Sequence, residues 1–385
     1  MRASQKAAAL YIHIPFCLRK CLYCNFYSES VDSHEPERYM RALCRELAER
    51  RSECGPLSTV FLGGGTPSIL SVDLLRVLME CLSKKMALSS DAEITIEANP
   101  ATIDEKGLCE LRSIGFNRLS LGVQSCRNGE LRQLGRPHNW QQALDAFDAA
   151  RRAGFDNISV DLIYGVPGQG MAGWRESLAQ VVRLHPEHIS AYELTPEPQT
   201  PLHDKLRTGE ISLPSEESIE EMFLFADDYL GSMGYEHYEI SNYALSGYRC
   251  RHNMTYWERA PYVGLGPAAH SFDGEHRRAN IEDVREYMAA LEKGRSVQME
   301  SARISEYEII CETIFLGLRT SEGVTMSELP AHSTAGIEKA LQDQRLQGLV
   351  LFDGNQLRLT RRGWLLSNEV IAILLSHIEK HCRAL

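Results

Sequence analysis

Strand-like and helix-like patterns alternate six times through the first two-thirds of the chain, and this alternation limits the fold more than any other feature. Apolar and β-branched stretches at 8–16, 58–62, 93–97, 118–122, 157–164 and 188–193 are separated by helical patterns at 36–53, 73–86, 104–114, 128–134 with 140–153, and 174–184. Strands separated by helices do not close into hairpins. They lie parallel, joined by right-handed crossovers, and their ligand-binding loops gather at the C-terminal strand ends. Beyond a helix ending at Gly234 the pattern becomes irregular over 235–274. Helices then follow at 306–317, 326–329 and 335–347, with a hairpin over 349–360 turning at Asp353-Gly354-Asn355 and a last helix over 363–381. Helices with a hairpin suggest a winged helix. A net charge of −11 without a clustered basic stripe favours a structural role for it over nucleic-acid binding.

Cys17, Cys21 and Cys24 follow the first strand with the spacing C-x3-C-x2-C. A loop leaving a strand can wrap three thiolates around one centre. A closed zinc site takes four ligands, commonly from two paired clusters, but no second pair follows and Cys44 falls within the first helical pattern. Iron–sulfur clusters ordinarily take four thiolates, so three would leave one iron open to an exogenous ligand. The other eight cysteines are scattered singly and read as thiols in a reducing compartment. No secretory leader is evident, and no apolar run approaches the roughly 18 to 20 residues that span a bilayer. The expectation is a soluble, cytoplasmic protein.

Polar residues stand at the strand ends. Gly63-Gly64-Gly65-Thr66-Pro67 closes the second strand, where consecutive glycines allow backbone to approach a ligand, although an ordinary strand-to-helix turn reads the same way. Glu97 ends the third strand, Gln124 follows the fourth, and Asp161 lies in the fifth. Each alone could cap a helix or turn. Together, on successive strands, they converge on one mouth, and Arg136 is a suitable guanidinium partner for a carboxylate there.

The cysteine spacing, with Tyr23 before the last cysteine, resembles the signature of the radical S-adenosylmethionine (SAM) superfamily. Tyr11-Ile-His-Ile-Pro-Phe-Cys17, Gly63-Gly-Gly-Thr-Pro67, Glu97-Ala-Asn-Pro100, Leu121-Gly-Val-Gln-Ser125, Asp161-Leu-Ile-Tyr-Gly165, Leu316-Gly-Leu-Arg-Thr320 and Leu359-Thr-Arg-Arg-Gly363 are similar to the oxygen-independent coproporphyrinogen III oxidase group. That resemblance implies an α/β fold: an open six-unit (β/α) partial barrel with a helical, winged-helix-like C-terminal domain. It divides the chain into a radical SAM core over 1–240, an irregular connecting segment over 241–300, and a C-terminal domain over 301–385. It also implies a 4Fe–4S cluster on Cys17, Cys21 and Cys24, with SAM contacts at Tyr11, Tyr23, Gly64, Gly65, Thr66, Glu97, Gln124, Arg136 and Asp161.

Two departures from the oxidase pattern separate the chain from that activity. The oxidases carry a further cysteine two residues after the third, where Phe26 stands here, and they extend before the cluster strand, where ten residues precede Tyr11. Both departures, and the motif His252-Asn-Met-Thr-Tyr-Trp257, are similar to the haem chaperone branch of the group. That branch implies haem as a third bound group, delivered to acceptor haemoproteins. It also implies a reductant or haem donor protein as partner, weak membrane association through acceptors, no nucleic acid, and no residue acting in catalysis. His252 is the candidate haem ligand, with Tyr256 and Trp257 offering flat faces to a porphyrin. The alternative is that the motif locks an irregular segment against the barrel. Cys250 and His270 are further candidate ligands. Two other activities stay open: oxidative decarboxylation of coproporphyrinogen III propionates by a SAM-derived radical, and radical chemistry on an unrelated substrate.

Overall fold

A computed structural model describes residues 6–33 and 35–382. Six parallel strands form its centre: β1 (Ala7–Ile14), β2 (Cys54–Gly64), β3 (Leu88–Ala98), β4 (Arg118–Gln124), β5 (Ile158–Tyr164) and β6 (His188–Glu193), adjacent in that order. Helices α1 (Pro36–Arg50), α2 (Val72–Lys85), α3 (Glu105–Ser113), α4 (Trp140–Arg152) and α5 (Met171–Val182) connect them. Every residue of β4 is buried, as expected for a central parallel strand covered on both faces. Helix starts follow local chemistry. Ser71 caps α2, Asp104 caps α3 through the Gly107 amide at 2.8 Å, and Asn139 with Gln142 forms a capping box on α4. The apolar stripe Leu75, Leu78, Met79 and Leu82 seats α2 on the sheet.

The segment read as irregular over 235–274 contains strands that widen the sheet on both sides. β7 (Glu236–Glu239) and β8 (Asn242–Ala244) extend it beyond β6, where β8 pairs antiparallel to β6. Beyond β1, β9 (Tyr262–Leu265) adds a further parallel strand, with Tyr11 opposite Gly264. Antiparallel β10 (His270–Phe272), β11 (His276–Asn280) and β12 (Gln298–Arg303) follow. β12 and β7 end the strand order and do not pair, so the arc is open. Strands of three or four residues, such as β8 and β9, are too short to show alternation, and their partners rather than their own pattern make them strands. The added elements are held by Glu46 of α1, whose carboxylate accepts from the Gly266 amide at 2.8 Å, the Tyr287 hydroxyl at 2.6 Å and the Asn280 amide at 2.6 Å.

The C-terminal part comprises helix Glu306–Gly317, a small sheet of Val324–Thr325, Gln356–Leu359 and Val350–Phe352, and helices Ala331–Ala340 and Ser367–Cys382. The hairpin forms where expected. The preceding helix starts earlier than the expected 335–347 and ends at Ala340, after Pro330 starts it. Arg361 ties this part to the core through Asp227 at 2.6 Å and Asp228 at 2.7 Å. Among the described residues no helix is long and apolar enough to cross a membrane.

Candidate functional site

The cysteine loop leaves β1 directly, and the glycine turn after β2 clasps its base. The Gly65 amide donates to Ile14 O at 2.8 Å and the Thr66 amide to Phe16 O at 2.7 Å. A Cβ on Gly65 would stand 2.5 Å from that Phe16 oxygen, so only glycine allows this approach. Cys17, Cys21 and Cys24 are free thiols lining one cavity of about 510 Å³. Cys21 is buried, with Arg136 Nη1 at 3.4 Å from its sulfur, and Cys17 Sγ lies 3.6 Å from the Thr66 hydroxyl. Burial pushes the Cys24 thiol up.

The strand-end residues line the same cavity. Glu97 Oε2 accepts the Gly64 amide at 3.2 Å, and burial together with the Asp161 charge pushes its carboxyl up to about 8. Asp161 accepts from Ser120 at 3.2 Å and from Ser159 at 3.4 Å, and burial raises its carboxyl also. Gln124 sits beyond a register shift between β4 and β5, at φ +71°, with a buried side-chain oxygen that has no partner. Arg136 donates to Gly122 O at 2.7 Å, while its buried Nε has none. Unpartnered buried polar atoms beside two carboxyls and a guanidinium form a donor set suited to a zwitterion. SAM carries an ammonium and a sulfonium for the carboxyls and a carboxylate for Arg136, so the residues present fit it. Three thiols around the opening fit a cluster with one open corner. Among the described residues no three metal-binding side chains converge as they would on a single ion.

All three cysteines and eight of the nine expected SAM contacts line this cavity, while Tyr11 and the haem-ligand candidate His252 do not. They line a smaller chamber of about 200 Å³ behind it, which shares Phe26, Gly64, Glu97, Ser120, Asp161 and Tyr192 with the first. The Tyr11 hydroxyl lies 3.0 Å from His13 Nδ1. His13 Nε2 donates to Tyr27 O at 2.9 Å, which makes Nδ1 the acceptor for Tyr11. His252 lies on α6 (Arg251–Trp257), its ring stacked on Phe61 at 5.1 Å. Its Nδ1 is 2.9 Å from the Thr59 hydroxyl and its Nε2 2.9 Å from the Tyr256 hydroxyl, and burial pushes its pKa down to about 3. The imidazole is therefore neutral with both nitrogens engaged. Cys250 is fully buried, and His270 is exposed.

Some cavity residues were not singled out in the sequence. Ser120 and Tyr192 face inward on the same strand parity as Asp161, a signal that alternation carries. Phe26 lines the mouth and is 65% exposed.

The model of the Radical SAM superfamily matches residues 11–181, and the HemN C-terminal domain matches residues 304–366. "Heme chaperone HemW" of Bacillus subtilis is 35% identical over 96% of this chain and 99% of its own length. The protein of the same name from Synechocystis is 37% identical, covering 84% of this chain and 80% of its own. "Radical S-adenosyl methionine domain-containing protein 1, mitochondrial" of Bos taurus is 32% identical over 97% of this chain and 88% of its own. The solved coproporphyrinogen III oxidase (HemN) of Escherichia coli, described as a radical SAM enzyme, superposes with a TM-score of 0.84 at 24% identity, covering 97% of this chain and 91% of that one, a likeness of fold.

Proposed function

Because this chain belongs to the HemW family of the radical SAM superfamily, we propose that it is a cytoplasmic haem chaperone that holds a 4Fe–4S cluster and SAM, binds haem and passes it to acceptor haemoproteins. Superfamily membership carries the cluster and SAM. The haem and its delivery rest on the relatives' names. At the site, the supporting observation is the common cavity of the three cysteines and the strand-end polar groups, with exposed Phe26 where the oxidase pattern has a cysteine. When bound, the reduced cluster supplies one-electron chemistry to SAM.

The chain's own residues have separate tasks in this reading. Cys17, Cys21 and Cys24 hold the cluster, and Gly64, Gly65 and Thr66 present backbone to the amino end of SAM. Glu97 and Asp161 accept from its cationic or hydroxyl groups, and Arg136 with Gln124 and Tyr23 closes the wall. Tyr11 lines the chamber behind, which shares Gly64 and Glu97 with this region, and its SAM contact rests on the family resemblance. His252 serves as haem ligand once Tyr256 releases Nε2. Burial keeps the imidazole neutral, so near neutral pH protons do not compete for the nitrogen.

An anaerobic sample of the reconstituted, reduced protein with SAM and coproporphyrinogen III should form no protoporphyrinogen, while a parallel titration with haem should saturate stoichiometrically. Product with turnover would make it an oxidase instead. In the same titration His252→Ala should change the haem spectrum and leave the cluster absorption intact. An unchanged haem spectrum would remove His252 as ligand.

SAM affinity should depend on pH through Glu97. Below about 8 its carboxyl is protonated in the ligand-free protein. A cationic group binding to the carboxylate must first displace that proton, so affinity rises with pH by up to about tenfold per unit and levels off above the pKa. Equilibrium binding from about pH 6 to 7.5 should show this slope in the wild type and a shallower one in Glu97→Gln. Identical slopes would exclude Glu97 from the SAM contacts.

A further inference from the structure

The chamber behind the SAM cavity has polar walls at strand positions that face inward. A closed (β/α) barrel fills such positions with branched aliphatic side chains. Here they are Arg118, Ser120, Ser159, Asp161, His188 and Ser190, all lining a space of about 200 Å³ that opens toward the outer cavity. Arg118 is only 2% exposed, and its Nε is buried without a partner. Among the described residues its guanidinium makes no hydrogen bond or ion pair.

The acids nearest to it are already engaged. Glu93 accepts the amides of His252 at 3.1 Å and Arg251 at 3.2 Å. Asp161 is held by the Ser120 and Ser159 hydroxyls. His188 and His252 are kept neutral by burial and by Arg118 itself, so Arg118 is the chamber's cation. Glu93 and Asp161 favour the Arg118 charge through space, but neither bonds to its fork, and a carboxylate that takes the fork in a bidentate pair would satisfy those donors.

We infer that this chamber is a carboxylate site built on Arg118, and that its occupant is the carboxylate arm of a flat ligand whose body lies outside, against Phe26 and Tyr192. Its volume suits a short chain rather than a macrocycle. Phe26 and Tyr192 line both the chamber and the outer cavity and are 65% and 40% exposed, so they offer ring faces at the junction. Naming the ligand as haem, with a propionate as the arm, rests on the function proposed above. The carboxylate site itself does not. In the haem pose the iron stays outside the chamber, away from His252, so the arm site and ligation by His252 are alternatives and not one complex.

The test uses the cluster-loaded protein and two kinds of probe. Sodium propionate should raise the thermal midpoint of the wild type and not that of Arg118→Gln, with Arg118→Lys intermediate because it keeps the charge and loses the fork. Equal responses in wild type and Arg118→Gln, or none in either, would overturn the site. The ligand-free Arg118→Gln protein should still melt in one cooperative transition, so that its lack of response to propionate is read on a folded protein, and Arg118→Lys, which keeps the charge, provides the second reading if it does not. Haem should bind Arg118→Gln about ten- to a hundredfold more weakly than wild type, and haem dimethyl ester should bind both equally and weakly. Haem and its ester binding alike to a wild type that responds to propionate would assign the site to a free small carboxylate and overturn the arm. Wild type that binds no haem but responds to propionate through Arg118 would fail the chaperone reading and leave the carboxylate site standing.

Discussion

Cys21→Ala is expected to leave the protein, after anaerobic reconstitution, without the broad visible absorption of an iron–sulfur cluster. Iron–sulfur centres are held by thiolates, and this chain offers three at the cavity, so the variant keeps two. Cys21 is also the most enclosed of them, between the Tyr23 loop and Arg136, whose Nη1 lies 3.4 Å from its sulfur. A thiolate there gains a charge-assisted hydrogen bond that alanine does not replace. No other cysteine lines the cavity among the described residues, so none stands ready to substitute. Cys109→Ala, on an exposed position of α3, should retain full absorption and serves as the control. Iron and sulfide contents measured on the same samples should fall with the absorption. Undiminished absorption in Cys21→Ala would end the assignment of these three cysteines.

Gly65→Ala should cost about 3 kcal/mol of stability and at least about a hundredfold in SAM affinity. The added methyl would lie 2.5 Å from Phe16 O and 2.9 Å from Ile14 O. Both are backbone atoms, so no side chain can swing away to admit it. Relief requires β1 and the glycine turn to part, which breaks the Gly65 N to Ile14 O and Thr66 N to Phe16 O bonds and moves Cys17 from its place beside Thr66. A displacement near 1 Å at a binding wall is enough for the predicted loss of affinity. Gly129→Ala makes the informative comparison, since nothing lies within 4 Å of its added methyl. Thermal melting and equilibrium SAM binding should separate the two variants. A Gly65→Ala protein that melts and binds like wild type would show that the turn is not the tight clasp described.

Much of the core was legible because its signals are local. The six parallel strands and their helices announce themselves through periodicity, caps and turn residues, each contained in a window of a dozen residues. Their bounds moved where pairing reached into polar sequence. β3, for example, begins at Leu88 rather than at the first apolar alternation, because Leu57 of β2 pairs with it. Position at a strand end also carried most of the candidate site, since parallel strands deliver their C-terminal residues to one mouth whatever the rest of the chain does.

Other features have no local signal. β8 and β9 are strands because β6 and β1 offer them partners far away in sequence. The histidine of the His252-Asn-x-x-Tyr-Trp257 motif reads alone as an available imidazole, and only packing against Phe61, Thr59 and Tyr256 engages both its nitrogens. Arg118 reads as the polar start of a strand, and its lack of a hydrogen-bonded acid follows from Glu93 and Asp161 being held by other groups. Cysteine spacing, glycine turns and strand parity are properties of the chain, so the sequence by itself determined the core architecture and the residues that ring the cavity. Protonation, ligand availability and the division of the interior into two chambers depend on what stands across a few ångströms of low-dielectric space, and only the tertiary structure decided those.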